Sequence, residues 1–224
     1  MRGRQMHFEI LVEGQAELTA LSILMNRIVG EYNKPHTWRI HKHQGIGRLP
    51  ENIYVTPNRN DRTLLHNLPS KLRAYGRDMG DQEVVVLLTD LDDRDDCVAF
   101  KKQLLSVSDS CGQKPMFLVR IAIEELESWY FGDQNAIREA YQHRNEEAFA
   151  DYTQDAQCGT WEKLAEVIYP GGVRELQSYG KRSVRILEEK RKWAAAIAPN
   201  MNVEKNNSRS FCCFRDGLRR LVGA

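Results

Sequence analysis

The sequence predicts an α/β fold, built on a mostly parallel four-stranded sheet with flanking helices and followed by a helical C-terminal appendage. Over residues 8–133, short apolar segments alternate with segments whose apolar residues recur at helical intervals, which is typical of βαβ units. The apolar run at 84–88 is continuous rather than alternating, which indicates a strand buried on both faces. After residue 133 only helical patterns remain. We therefore expect a sheet domain over 1–133 and a helical region over 134–224 packed on it.

Each element has its own signal. Strands are predicted over 8–12, 38–41, 83–89 and 116–123, and the second is the weakest. Apolar side chains at helical spacing lie between the strands, from Leu18 to Ile28, from Leu64 to Tyr75 and from Phe100 to Leu105. Residues 44–60 hold glycine, proline and asparagine and predict a loop. The C-terminal helices are predicted over 134–143, 160–168, 181–198 and 209–221.

The overall charge is balanced, but the charges are unevenly placed. The chain of 224 residues has 32 basic and 31 acidic side chains, for a formal charge of +1. The predicted strand ends are acidic, whereas residues 181–192 and 215–220 are basic. Such a protein suits a metal ion and a polyanion held together. Two solvated helix faces explain the basic stretches equally well.

The cellular compartment is predicted from the cysteine pattern and from the lack of a signal-peptide core or an apolar span. The five cysteines are odd in number and irregularly spaced, which favours reduced thiols in a cytosolic protein over a disulfide framework. The N-terminal segment has no signal-peptide core, and no apolar stretch approaches the length of a membrane span. We expect a cytoplasmic protein that does not associate with a membrane.

Carboxylates follow three of the four predicted strands. Carboxyl ends of parallel strands meet at one edge of a sheet, where open α/β proteins bind their ligands. In a locally extended chain, Asp90 and Asp92 would point to the same side and repel each other unless a divalent cation lay between them. Hard oxygen ligands suit Mg²⁺ or Mn²⁺. The candidate metal ligands are Glu13, Glu17, Asp90, Asp92, Glu124 and Glu127.

The acidic motif after the fourth strand contains more carboxylates than a metal site needs. Glu124 and Glu127 are three residues apart and therefore share one helix face. Glu127 is the preferred ligand, with Glu124 close behind. Glu125 points elsewhere and is expected to be solvated. Trp129 is expected to belong to the core rather than to stack on a base.

Other charged residues have plainer explanations. Glu17 lies in the first turn of a helix, where a carboxylate also interacts favourably with the helix dipole. Asp95 and Asp96 are expected to open the next helix. His41 and His43 share one side of a strand, but no third His or Cys accompanies them, so a solvated or partly buried sheet edge is the better interpretation.

The spacing of these acids resembles a known domain. A strand-end Glu13-Gly14-x-x-Glu17, then an apolar strand ending in Asp90-x-Asp92, is similar to the Toprim domain of topoisomerases, bacterial primases and OLD-type nucleases. The late acidic motif of OLD-type enzymes corresponds to Glu127 or Glu124. The resemblance implies a Toprim-like, Rossmann-like fold over about residues 6–133. Segments 125–129 and 208–211 resemble the bacterial Toprim-like DUF4276 family, whose members are often found beside ABC-type ATPases in defence loci.

This resemblance implies a reaction and its residues. The reaction is hydrolysis of phosphodiester bonds in DNA or RNA, with two Mg²⁺ or Mn²⁺ ions. Glu13, Asp90 and Asp92 would be catalytic, Glu13 as a ligand or as the general acid/base. Lys181 would offset charge in the transition state, with Lys190, Lys192 and Lys205 as competitors. The basic residues expected to contact the phosphate backbone are Lys181, Arg182, Arg185, Lys190, Arg191 and Lys192.

The same resemblance predicts a partner. The chain contains no Gly-x-x-x-x-Gly-Lys-Ser/Thr motif, so an ABC-type or AAA ATPase would have to be a separate subunit. The predicted role is the effector subunit of a bacterial anti-phage defence system. Two other classes stay open. One is a non-catalytic Toprim-like binding or regulatory subunit, and the other is a small-molecule phosphoesterase.

Overall fold

The sheet has four parallel strands. The computed structural model describes residues 5–155, 159–180 and 183–223. The strands are β1 (His7–Val12), β2 (Thr37–Lys42), β3 (Glu83–Asp90) and β4 (Met116–Ala122), in the order β2-β1-β3-β4. They are connected by α1 (Gln15–Val29), α2 (Leu64–Asp78) and α3 (Cys97–Asp109). The predicted α/β fold is confirmed, and every pairing between these strands is parallel.

Seven helices follow β4 in the described chain. They are α4 (Glu127–Phe131), α5 (Gln134–Ala140), α6 (Glu146–Ala150), α7 (Thr160–Ile168), α8 (Gly172–Gln177), α9 (Val184–Ile197) and α10 (Arg209–Val222). The short helices α4, α6 and α8 have five or six residues and were not predicted from the sequence. Segments of that length hold less than two helical turns, so no helical period could be recognised in them.

Helices cover both faces of the sheet, which explains the uniform apolar run in β3. Val84, Val86 and Leu88 lie in the core that includes α1, α9 and α10. Val85 and Leu87 lie in the second core, which is formed with α2 and α3. Because successive side chains of a strand point to opposite faces, the part of β3 that is covered on both sides, Val84 to Leu88, is apolar at every position.

The helical region shares a core with the sheet region. Helix α9 packs against α1, and α10 packs against β4 and α1. Trp193 and Phe214 of the helical region and Leu21 and Leu24 of α1 belong to one cluster of buried side chains. The core is therefore continuous across residue 133, and α9 reaches the carboxyl edge of the sheet.

None of the helices described combines the length and the apolar character that crossing a lipid bilayer requires.

Candidate functional site

The two central strands bring their carboxylates together. Because β1 and β3 are adjacent and parallel, Glu13 follows β1 beside the end of β3. Glu13 Oε1 accepts hydrogen bonds from the backbone N–H of Asp90 at 2.8 Å and from Thr89 Oγ1 at 2.6 Å. Asp90 is only 7% exposed. The predicted convergence of Glu13 and Asp90 at the sheet edge is what the structure has.

Glu17 belongs to the same cluster. It lies in the first turn of α1 and is 7% exposed. Its charge raises the pKa of Glu13, Asp90 and Glu127, so its carboxylate lies close to all three. Gly14 brings the chain close to this carboxylate, because a Cβ there would meet Glu17 Oε2 at 3.2 Å. The position suits the helix dipole as well, whereas the role of Glu17 as a metal ligand stays a prediction.

Glu127 completes the cluster from the third strand end. It is the first residue of α4 and is 1% exposed. Neither of its carboxylate oxygens has a hydrogen-bond partner among the described residues. A buried carboxylate without such partners is costly, so this position calls for a cation.

Lys190 supplies a positive charge from the helical region. Its Nζ lies 3.3 Å from Glu127 Oε2 and 3.5 Å from Glu125 Oε1. Its side chain is 16% exposed, although it was predicted to contact phosphates from the basic stretch 181–192. Burial alone would lower the pKa of Lys190, but the carboxylates of Glu127, Glu125, Asp90 and Glu17 raise it well above its usual range. The ammonium therefore stays charged within the acidic cluster.

The structure exchanges the expected roles of Glu124 and Glu125. Glu124 accepts hydrogen bonds from the backbone N–H of Gly159, and from the N–H and the hydroxyl of Thr160, so it caps the start of α7. Glu125 was expected to be solvated, yet its side chain is 14% exposed and pairs with Lys190. Its other oxygen accepts from Trp161 N–H at 2.9 Å. The start of α7 attracts Glu124 because unpaired backbone N–H groups point out of a helix N-terminus.

Asp92 lies at the rim of the cluster. The locally extended chain that was expected around it is wrong, since Asp92 has a φ of +51°. Its backbone N–H donates to Glu124 O at 2.8 Å, and its side chain, 38% exposed, pairs with Arg94 at 3.1 Å. Asp92 is therefore more exposed than Asp90, although both line the same pocket. Asp96 caps α3 by accepting from Ala99 N–H at 2.8 Å, as predicted.

The buried carboxylates have altered acidity. Burial, together with the charges of Glu17 and Asp92, raises the pKa of Glu13 to about 7. Burial raises the pKa of Glu125 to about 7 as well, against the effect of Lys190. The pKa of Asp90 is well above its usual range, because of burial and of the charges of Glu13 and Glu17. Full ionisation of these carboxyls would place more negative charge in the cluster than one lysine balances, and this adds to the effect of burial in raising their pKa values.

A pocket of about 1150 Å³ opens beside this cluster. Carboxylates line it, namely those of Glu13, Glu17, Asp90, Asp92 and Glu125, together with Asp61 of the β2–α2 connection. Another part of the lining is mainly basic and comes from the end of β2, the β2–α2 connection and α2. We call it the basic wall, and it consists of Lys42, Arg59, Arg62 and Lys71. Sequence reasoning missed the basic wall because its residues are isolated cations within or near a predicted loop.

The donor chemistry fits the implied metal, but the present arrangement is not a closed site. Carboxylate oxygens are the ligands that Mg²⁺ and Mn²⁺ prefer, and the two oxygens of Glu127 lack hydrogen-bond partners within the described ranges. Among those same residues, no three His, Cys, Asp or Glu side chains converge as a metal-binding group. The ammonium of Lys190 lies among the carboxylates instead.

The chain as a whole matches one family model. A model described as a domain of unknown function, DUF4276, matches residues 12–221. This chain belongs to the DUF4276 family. The matched range contains every carboxylate of the cluster, Lys190 and the basic wall. The predicted resemblance to DUF4276 is confirmed, whereas the resemblance to Toprim and OLD-type nucleases stays a prediction. No curated protein and no solved structure matches the chain significantly.

The two segments that resemble DUF4276 in sequence contact each other in the fold. Trp129 is completely buried, as predicted, and its Nε1–H donates to Ser210 Oγ at 3.0 Å. Its ring lies 5.3 Å from that of Phe211. Ser208 caps α10 by accepting from the backbone N–H of Phe211. These residues of the DUF4276 fold join α4 to α10 and have a structural role.

Three of the four predicted phosphate contacts that the structure describes lie on the outside of α9. Arg185 lies over the ring of Tyr179 at 4.8 Å, and Lys192 pairs with Glu189 at 2.6 Å. Arg191 is exposed. Lys181, the predicted catalytic lysine, and Arg182 lie outside the described residues. Of the competing lysines, Lys190 is the one that reaches the carboxylate cluster of this DUF4276 protein.

Proposed function

We propose that this DUF4276 protein is a cytoplasmic nuclease that uses Mg²⁺ or Mn²⁺ to hydrolyse phosphodiester bonds of nucleic acid. The observation that carries the proposal is the convergence of Glu13, Glu17 and Asp90 on one pocket, with Glu127 buried beside them against Lys190. These acids follow three different strands, and the three segments that contain them are far apart in the sequence. Their burial keeps bulk water from screening them, so they attract a cation strongly once they are ionised.

The chain's own residues have distinct roles in this reaction. A bound divalent ion would lower the pKa of a water and stabilise the leaving oxygen. Glu17, Asp90 and Glu127 would hold it, with Asp92 at the rim. Glu13 is oriented by the N–H of Asp90 and the hydroxyl of Thr89, and with a pKa of about 7 it suits the acceptance of a proton from the attacking water near neutrality. Lys190 would offset negative charge on the reacting phosphate.

Cleavage assays with one matched pair of variants test this proposal. The wild type should cleave single- or double-stranded DNA or RNA with Mg²⁺ or Mn²⁺, and should lose that activity in chelator. Asp90→Asn should abolish both cleavage and Mn²⁺ binding measured by calorimetry, because it removes a buried carboxylate. Asp93→Asn is the control, since Asp93 is exposed on the following turn. Full cleavage by Asp90→Asn would refute the proposed metal site.

A partner is part of the proposed function. The sequence lacks an ATPase motif of its own, and we propose that a separate ABC-type or OLD-type ATPase subunit activates the nuclease in anti-phage defence. Affinity purification of the tagged protein from its native host should recover such an ATPase. Purification of the protein without any ATPase, from cells that resist phage through this gene, would refute the partnership.

One observation favours a second candidate, a non-catalytic binding or regulatory subunit. The ion pairs of Lys190 with Glu125 and Glu127 already neutralise part of the cluster, as an inactive pocket would require. Under this candidate the protein binds nucleic acid or an ATPase without cleaving anything. Failure to bind Mn²⁺, combined with specific binding of a partner, would support it over the nuclease. A generic small phosphate ester, assayed in parallel, tests for the phosphoesterase.

A further inference from the structure

The basic wall contains three cations that have no counterion. The side chains of Arg59, Arg62 and Lys71 make no hydrogen bond and no ion pair with the described part of the chain, whereas Lys42 donates to Gln15 Oε1 at 2.6 Å. All four line the same pocket as the carboxylates, and Asp61, which accepts from Thr63 at 2.6 Å, is the acid that lies between Arg59 and Arg62 in sequence. Surface arginines and lysines are often unpaired, but here they lie together on the wall of one concave site.

Lys71 is the most informative of these cations. It is partly buried on α2, and burial lowers its pKa while the charge of Glu9 raises it. Glu9, however, is already engaged by His7 at 3.1 Å, by His41 and by the hydroxyl of Tyr75 at 3.3 Å. A partly desolvated ammonium that no carboxylate pairs with favours an anionic ligand.

The acidic and basic parts of the pocket lining suit different parts of one ligand. A nucleic acid carries a negative charge at every phosphate. The carboxylates attract such a chain only through a bound cation, whereas the basic wall attracts the neighbouring phosphates directly, with or without a metal ion. A small phosphate ester has no neighbouring phosphates to use the wall, so the arrangement favours a polymer.

We propose that the basic wall, formed by Arg59, Arg62 and Lys71 with Lys42 at its edge, binds backbone phosphates of a nucleic acid and so holds the strand over the carboxylate cluster. The inference rests on the proposed function, because the nuclease reaction is the reason for holding a strand there. Binding of the strand to the basic wall can nevertheless be tested without cleavage. Backbone contacts of this kind position a strand without reading its sequence.

The basic wall is a better substrate surface than the outer face of α9. There Lys192 pairs with Glu189, and Arg185 lies over Tyr179, so their charges are already engaged within the chain. Lys190 is enclosed by the carboxylates. The cations of the basic wall have no such partners and face the pocket.

The test measures binding in chelator, where no cleavage occurs. Fluorescein-labelled single-stranded DNA, duplex DNA and single-stranded RNA serve as probes in anisotropy titrations at several salt concentrations. We expect the double variant Arg62→Gln/Lys71→Gln to weaken binding about tenfold or more and to lower the salt dependence of binding by about two phosphate contacts. Lys101→Gln/Lys102→Gln on α3, outside the pocket lining, removes the same charge and should bind like the wild type. Circular dichroism verifies that both double variants are folded.

The outcomes separate this inference from the proposed function. Wild-type affinity and salt dependence in Arg62→Gln/Lys71→Gln would overturn the inference even if metal-dependent cleavage were found. Absence of nucleic-acid binding by the wild type would overturn it as well. Weakened binding by this variant, in a protein that never cleaves, would support the basic wall while the nuclease proposal fails. An equal loss in the α3 control would show a nonspecific charge effect and overturn the assignment to the basic wall.

Discussion

Lys190 determines the charge balance of the pocket. It is the cation that lies among the buried acids of the described chain, and it pairs with both Glu125 and Glu127. Its position explains why so many carboxylates can be buried together. A divalent ion that binds here would share these acids with the lysine. The two cations together would then offset the negative charge of the ionised carboxylates, which the lysine alone does not.

Replacing this lysine should therefore destabilise the fold. Lys190→Met leaves Glu125 and Glu127 buried without a counterion, and we expect the free energy of unfolding near neutral pH to fall by about 3–5 kcal/mol. Lys192→Met is the control, because its ion pair with Glu189 is 63% exposed on the lysine side and should contribute about 0–1 kcal/mol. Urea unfolding measures both. Equal losses of unfolding free energy in the two variants would show that the buried ion pairs of Lys190 stabilise the fold no more than the exposed pair of Lys192 does.

The acidity of Glu13 makes stability depend on pH. Its pKa is 4.5 ordinarily and about 7 in the folded protein, so the folded state binds the proton more tightly than the unfolded state does. The resulting stabilisation is complete below pH 4.5 and is lost as the pH rises through about 7. In Glu13→Gln this loss should be absent, so the variant should gain about 3 kcal/mol relative to the wild type between these limits. Urea unfolding over that pH range tests the difference, and parallel curves for the two proteins would contradict it.

Metal binding should offset the loss of folding stability that ionisation of Glu13 causes. Mn²⁺ binds ionised carboxylates, so it should raise the thermal unfolding temperature of the wild type above the pKa of Glu13, about 7, and much less below it. At a concentration of about 100 times the dissociation constant, the expected stabilisation is about 2.7 kcal/mol. Asp90→Asn should show no such increase, whereas Asp93→Asn should respond like the wild type. Differential scanning calorimetry measures the increase in unfolding temperature. An increase that is the same at every pH would argue against binding at these carboxylates.

At the scale of elements, the contact between α4 and α10 fixes where the late acids lie. Glu127 begins α4, so its position depends on what holds that short helix. Trp129 donates to Ser210, and Asn206 donates to the carbonyl of Trp129 at 2.8 Å. The close approach of the chain before α10 requires a glycine at 132, because a Cβ there would lie 2.0 Å from Asn206 Oδ1 and 2.6 Å from Ser208 N.

A pair of glycine variants tests this contact. Gly132→Ala forces the α4–α10 contact apart, and we expect a loss of about 1–3 kcal/mol in the free energy of unfolding, as overpacking typically causes. Gly112→Ala is the control, since a Cβ there would meet nothing within 4 Å. That change should be neutral or stabilise by about 1 kcal/mol or less. Denaturant unfolding compares them, and an unaffected Gly132→Ala protein would mean that the contact relaxes freely.

At the scale of the whole molecule, the pocket requires the helical region. The carboxylates of the cluster come from residues before 133, but Lys190 comes from α9, which packs on α1. The same contact buries Trp193 with Leu21 and Leu24. Folding of the sheet region and assembly of the pocket are therefore linked through one shared core.

This shared core predicts a single cooperative unfolding transition. Trp38 and Trp129 report on the sheet region and Trp161 and Trp193 on the helical region, while far-ultraviolet circular dichroism reports on all helices. Because one core joins the regions, the fluorescence and circular dichroism curves in urea should coincide. Two separate transitions would instead show that residues 1–133 and 134–224 are independently stable domains.

The sequence by itself determined the α/β class, the four strands and the edge where the acids gather. Those signals are local, since an apolar run and the residue that ends it are contiguous in the chain. The tertiary structure alone decided that Glu125 faces Lys190 while Glu124 caps α7, and that Arg62 and Lys71 line the same pocket as the acids. Neighbouring glutamates have the same chemistry, and what distinguishes them is the helix that packs beside each one. Such contacts join residues far apart in the chain, where no local pattern records them.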